Sequence, residues 1–152
     1  MLNVNVVCVG NLKEKFSQDA EKEYLKRISK FCKLNVIELK EQNKLSNITL
    51  IKEREGEEII KNLSSYNILC DLGGENLSSE EFANRLEKLA RKNSKITFVI
   101  GGSYGVSEKV KNACQTKISF SKMTFPHNLF RIMLLEQIYR AFTILNGINY
   151  HK

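Results

Sequence analysis

Residues 117–146 read KISFSKMTFPHNLFRIMLLEQIYRAFTILN, and this stretch decides how the chain must be built. It opens on a short β-type run carrying Ile118 and Phe120 and passes through Ser121, Lys122, Met123 and Thr124. It then meets Pro126, the only proline, and enters a long helical pattern. At about 100° per residue, Leu129, Phe130, Ile132, Met133, Leu134, Leu135, Ile138, Tyr139, Ala141, Phe142, Ile144 and Leu145 fall on every side of the cylinder. Only Asn128, Arg131, Glu136, Gln137, Arg140 and Thr143 interrupt them. A helix apolar all round is buried on more than one face. One face can lie on a sheet; the other calls for a partner subunit. The loop ahead of the helix is pinned at both ends, which suits a rigid site.

Outward from this stretch, strand and helix patterns alternate. Lys95–Ile100 is the clearest strand, almost continuously apolar and β-branched, as a strand covered on both faces should be. Leu2–Val9, ended by Gly10, and Leu34–Leu39 are two more, and Asn67–Leu72 is a short one that Gly73-Gly74 breaks. Between them, Phe16, Ala20, Tyr24, Leu25, Ile28 and Phe31 predict an amphipathic helix from about Glu14 to Cys32. A second runs from Ile48 to Leu63, weakened by Gly56 in its middle. Ser78 and Glu81 form a capping box opening a third, and a short one starts near Ser107. Lys40–Asn47 is polar, without period, and reads as a loop. This alternation predicts an α/β fold around a mostly parallel sheet, in one domain over residues 1–152.

The net charge of +7 on 152 residues attracts polyanions such as RNA. The charged face of the first helix is mixed in sign and reads as a solvated face. The N-terminus has no basic region leading a long apolar run, so no signal peptide is expected. No stretch of roughly 18 apolar residues predicts a membrane span. Cys8, Cys32, Cys70 and Cys114 are scattered and form no C-x-x-C pair, so reduced thiols in the cytoplasm are expected. His127 and His151 stand in no ligand-spaced cluster, and no metal is expected.

In open α/β sheets ligands bind beyond the carboxyl ends of the strands. Three such ends are glycine-rich or pinned: Cys70–Gly74, Ile100–Ser103 and Phe120–Phe125. Neither Gly-Gly run is a G-x-G-x-x-G, and no G-x-x-x-x-G-K-[ST] occurs, so dinucleotide and P-loop readings lack their signature. No Ser/His/Asp arrangement or nucleophilic cysteine motif is present. From residues alone the chain is a basic α/β domain with a glycine-lined site at its strand ends.

Four blocks go further: VGNLKEKF (9–16), KITFVIGGSYGVS (95–107), FSKMTFPHNLFRIMLLEQIYRAF (120–142) and the terminal NYHK (149–152). Together, end to end, they resemble the RlmH (YbeA) family of small SPOUT-class methyltransferases. The resemblance implies a SPOUT-type α/β knot, with a deep trefoil knot in the C-terminal half, S-adenosyl-L-methionine bound in it, and a homodimer. The implied reaction is methylation of N3 of pseudouridine 1915 in helix 69 of 23S rRNA, in the large subunit of the assembled 70S ribosome. By position, it puts the cofactor pocket on Cys70, Gly101, Phe120, Ser121, Lys122, Met123, Thr124 and Phe125. It makes the tail Tyr150-His151 close the site of the other subunit and hold RNA. The N3 imide proton must leave, and His151 is the first expected base, His127 the second. Arg140, Arg131 and Lys152 are the expected RNA contacts; either arginine could instead pair with Glu136. Three positions depart from the family pattern: Asn11 for a usual lysine, Asn149 for a usual proline, and Cys70 for a usual leucine. Two alternatives stand beside this reading, a non-catalytic ribosome-binding knotted protein and a flavodoxin-like nucleotide-binding module.

Overall fold

A computed structural model describes all 152 residues. Five parallel strands form one sheet in the order β2-β1-β4-β3-β5. They are β1 (Asn3–Val9), β2 (Lys33–Leu39), β3 (Tyr66–Asn76), β4 (Lys95–Ile100) and β5 (Thr116–Ser119). The helices are α1 (Lys15–Ile28), α2 (Ile48–Lys61), α3 (Ser79–Lys92), α4 (Glu108–Ala113) and α5 (His127–Leu145).

Side chains alternate across a strand, so each buried strand feeds two cores. Val4, Val6, Cys8, Ile96, Phe98 and Ile100 meet Ile28 of α1, Phe82 and Leu86 of α3, and Leu134, Leu135 and Ile138 of α5. Val7, Val9, Leu69 and Val99 face the other way, onto Ile59 of α2 and Val110 of α4. This is why β1 and β4 are apolar nearly throughout. One polar row crosses the sheet, Asn35–Asn5–Thr97–Asn67 in register. Its buried members are paired: the Ser64 and Thr97 hydroxyls lie 2.8 Å apart, and the Asn67 N–H donates to Gln115 at 2.7 Å.

Several boundaries differ from the sequence reading. α1 ends at Ile28, because the chain tightens there: the Phe31 N–H donates to the Ile28 carbonyl and the Ser29 hydroxyl to that of Lys26. Gly73-Gly74 does not end β3. The strand bulges instead: Cys70 and Glu75 both pair with Ile118, leaving 71–74 outside the ladder. A Cβ on Gly74 would stand 2.5 Å from the Ile118 backbone, so the bulge closes on β5 only with glycine there. Gly56 is likewise a contact and not a flaw in α2; a Cβ there would lie 2.7 Å from the Ser107 hydroxyl that caps α4. The capping box at Ser78 and Glu81 is present.

α5 packs on the sheet and against α1 and α3. Two of its apolar side chains outside that core, Ile132 and Met133, line a groove of about 540 Å³ with Tyr24, Leu77 and Phe82. No helix is long and apolar enough to cross a membrane.

Candidate active site

All strands are parallel, so the ends of β3, β4 and β5 open on the same side. There they line a cavity of about 610 Å³. Cys70, Gly101, Phe120, Ser121, Met123, Thr124 and Phe125 are in its wall, joined by Asp71, Gly102, His127 and Phe130. Lys122, between Ser121 and Met123 in the same loop, is exposed and is not among the residues of the wall. The loop from β5 to α5 is held locally. The Ser119 hydroxyl donates to the Ser121 carbonyl at 2.7 Å, and the Met123 N–H donates to the Ser121 hydroxyl at 3.0 Å. Phe120 stacks obliquely on Phe130 with ring centres 4.6 Å apart, giving the cavity an aromatic side. Burial pushes the Cys70 thiol upward in pKa, so it stays protonated and acts as an apolar wall group.

Sequence reasoning missed the floor under the glycine loop. Glu55 of α2 is 3% exposed and sits beneath Gly102. A Cβ on Gly102 would come within 2.9 Å of its Oε1. Its Oε2 accepts the Gln42 N–H at 3.0 Å, and Oε1 has no partner. Glu55 and Gly56 together seat the segment Gly101–Ser107. Neighbouring Glu41 accepts from the Ser103 hydroxyl at 3.1 Å and ties the loop after β2 to the same rim. The Glu55-Gly56 pair was visible in the sequence, but only as a glycine within a helix.

The two histidines part company. His127 lines the cavity at the start of α5, its ring over Gly10. His151 and Tyr150 lie elsewhere, on α3 and α5 of their own chain. Tyr150 donates to Glu136 at 3.0 Å, and Arg140 grips the same carboxylate with Nε at 3.0 Å and Nη2 at 2.6 Å. The Arg140 guanidinium also lies over the Tyr150 ring, 4.8 Å from its centre. Arg140 Nη1 is 3.1 Å from His151 Nδ1, and His151 Nε2 is 2.7 Å from Glu80. A guanidinium can only donate, so Nδ1 accepts and Nε2 carries the hydrogen toward Glu80. Both ring nitrogens of His151 are thus engaged within its own chain. Lys152 follows, exposed.

Arg131 is a correction. It is 1% exposed and donates to Glu38 at 2.7 Å, Glu21 at 3.1 Å and the Gly10 carbonyl at 3.1 Å. It faces neither RNA nor Glu136. A helix pattern gives the angle of a side chain but not the acceptors waiting for it. Arg140 does pair with Glu136 and remains half-buried. No group of three or more His, Cys, Asp or Glu side chains is arranged to hold a metal ion.

The sequence profile described as "Predicted SPOUT methyltransferase" matches residues 2–151. The chain belongs to the SPOUT methyltransferase family. Relatives named ribosomal RNA large subunit methyltransferase H share this length almost completely. That of Fusobacterium nucleatum is 48% identical, over 99% of this chain and 100% of its own. That of Clostridium botulinum strain Kyoto is 50% identical with the same coverage, and that of Caldicellulosiruptor saccharolyticus 46%, over 98% and 99%. Among solved structures, a tRNA (m1G37) methyltransferase from Aquifex aeolicus superposes with a TM-score of 0.59 at 15% identity. It covers 99% of this chain and 73% of that one, and at this identity speaks for the SPOUT fold alone.

Proposed function

We propose that this chain is an S-adenosyl-L-methionine-dependent methyltransferase of large-subunit ribosomal RNA, transferring a methyl group to N3 of pseudouridine 1915 in helix 69 of 23S rRNA. The observation that carries the reading is the convergence of Cys70, Gly101 and the Phe120–Phe125 loop on one cavity, in a chain whose full-length relatives bear the rRNA methyltransferase name. It works as a single domain, cytoplasmic, on the assembled ribosome. The reading carries with it a deep trefoil knot with α5 as the threaded segment, which agrees with β5 pairing to β3 and not to β4.

The cavity fits the cofactor. Bare backbone at Gly101 and Gly102 offers hydrogen-bonding edges at close range, since side chains there would collide with Val106 and Glu55. Phe120, Phe125 and Phe130 provide apolar walls for an adenine ring. Bound there, the cofactor supplies an electrophilic methyl group. The remaining work falls to the chain: to orient the base and to take the N3 proton. His127 is the histidine at the cavity in its own chain. Tyr150 and His151 serve the cavity of the partner subunit, where His151 takes the proton on Nδ1 once Arg140 releases that nitrogen. The groove beside Ile132 and Met133 is the homodimer contact, which completes the burial of α5. Arg140 and Lys152 hold RNA phosphate beside that composite site.

The test is transfer of labelled methyl from S-adenosyl-L-methionine to ribosomes from cells lacking the modification. Label confined to helix 69 is expected. Cofactor binding without transfer would instead indicate a non-catalytic ribosome-binding protein, and no cofactor binding would point to a different nucleotide module.

A further inference from the structure

Oε1 of Glu55 is buried without a hydrogen-bond partner. The residue is buried, it belongs to α2 and not to the cavity wall, and only Gly102, which has no side chain, separates it from the cavity. Oε2 is used by the Gln42 N–H, so the carboxyl is fixed in orientation while Oε1 points at the glycine unsatisfied. A buried acceptor without a donor is costly, and proteins keep such groups where something else compensates them. A purely structural clasp on Gln42 needs one oxygen; a neutral amide would serve as well.

We infer that Glu55 is a specificity-determining residue for the charge of the bound ligand: its carboxylate, set behind Gly102, favours a sulfonium over the corresponding uncharged thioether. This rests on the reading above, in which the cavity takes S-adenosyl-L-methionine. Substrate and product cofactors differ there by one methyl and one unit of positive charge. A fixed carboxylate across a single glycine acts on that difference through poorly screened surroundings. Methyl transfer removes the positive charge, so the same residue weakens the hold on the product and helps it leave. The other titratable groups nearby are Glu41 and His127, together with Asp71, which lies in the cavity wall and is partly exposed. Burial raises the Glu55 carboxyl above the ordinary carboxylate value, so the comparison belongs at mildly alkaline pH.

The experiment is calorimetric titration of the full chain with S-adenosyl-L-methionine, with S-adenosyl-L-homocysteine, and with an analogue carrying a protonated amine in place of the sulfonium. In Glu55→Gln, the preference for the two cationic ligands over the thioether should fall about tenfold, the size expected of one charge pair about 12 Å apart at effective dielectric about 20. Glu55→Asp, which keeps the charge but withdraws it, should fall part of the way, and decides the matter if the Gln variant does not fold. An unchanged preference overturns the inference, whether both ligand classes weaken equally, as for a structural clasp, or neither does. So does a loss of preference in Asp71→Asn with none in Glu55→Gln. Failure of the wild type to bind any of the three ligands is a different result, and strikes at the cofactor assignment itself.

Discussion

Arg131 donates to Glu38 at 2.7 Å across 93 positions of the chain, joining the second turn of α5 to the end of β2. With Glu21 and the Gly10 carbonyl as further acceptors, one guanidinium ties the last helix to the first two strands and to α1. Removing one partner of a buried pair leaves the others desolvated and unpaired. Arg131→Met should therefore destabilise the fold by about 2–3 kcal/mol, discounted because Glu38 is partly exposed. Arg131→Lys should recover only part, since a single ammonium cannot span the fork. Denaturant unfolding reads both. A variant that is as stable as wild type but weak on ribosomes would return Arg131 to the RNA contacts.

The tail assignment makes a complementation prediction. His151→Ala should bind cofactor normally and lose methyl transfer, while Gly101→Trp should block the cavity and also be inactive. If each site combines the cavity of one protomer with the tail of the other, mixing the two inactive dimers under exchange should restore about a quarter of wild-type activity. No recovery would confine the tail to its own chain. His127→Ala, measured alongside, shows which imidazole the reaction needs.

Glycine substitutions should separate sharply by what each would meet. Gly74→Ala puts a methyl 2.5 Å from the Ile118 backbone and must part β3 from β5, at a cost of about 3 kcal/mol or more. Gly105→Ala meets nothing within 4 Å and carries only the strain of its positive φ of 82°, about 1 kcal/mol. Thermal unfolding of the two should differ accordingly. Similar midpoints would mean the bulge can relax.

Glu55 also predicts a pH dependence in the cofactor-free protein. Its folded value is raised above the ordinary 4.5, chiefly by burial. The folded state thus holds the proton to higher pH than the unfolded chain does. The contribution is present in full below the unfolded value and is lost as pH rises through the folded one. Wild type should lose stability relative to Glu55→Gln over that window, and saturating cofactor should reverse the loss. A difference between the two proteins that stays constant with pH would show the carboxyl titrating as it does when unfolded.

Burial pushes the Cys8 and Cys32 thiols up to about 12, and raises Cys114 as well. A thiol held protonated is a poor nucleophile. Native protein at mildly alkaline pH should react slowly at these positions with a disulfide reagent, and rapidly once unfolded. Fast native labelling at Cys8 would mean that the β1–β2 edge opens readily.

What the sequence disclosed follows from period and punctuation. Lys95–Ile100 was legible to the residue because five buried positions in a row, Ile96–Ile100, admit no other reading, and the Ser78–Glu81 box fixed the start of α3 by chemistry. The three strand ends of the cavity were legible too, since a parallel sheet puts them on one side. Glycines misled where their reason lay in another segment: Gly74 against Ile118, Gly56 against Ser107. Arg131 and Glu55 were out of reach for the same reason, because their partners are distant in sequence and invisible to a helical wheel. The resemblance named the cavity residues but could not show that Arg140 and Glu80 occupy both nitrogens of His151.

The clasp on Arg131 has a consequence in time. Its acceptors, Gly10, Glu21 and Glu38, are made long before the arginine that satisfies them, which follows 93 to 121 positions later. β5, the last strand in the chain, pairs with β3 on the side away from β4. Contacts of such long sequence separation make folding slow, because the loops must close before the contacts repay them. The first strands are therefore locked late, and until α5 is seated its apolar length is exposed to aggregation and to chaperones.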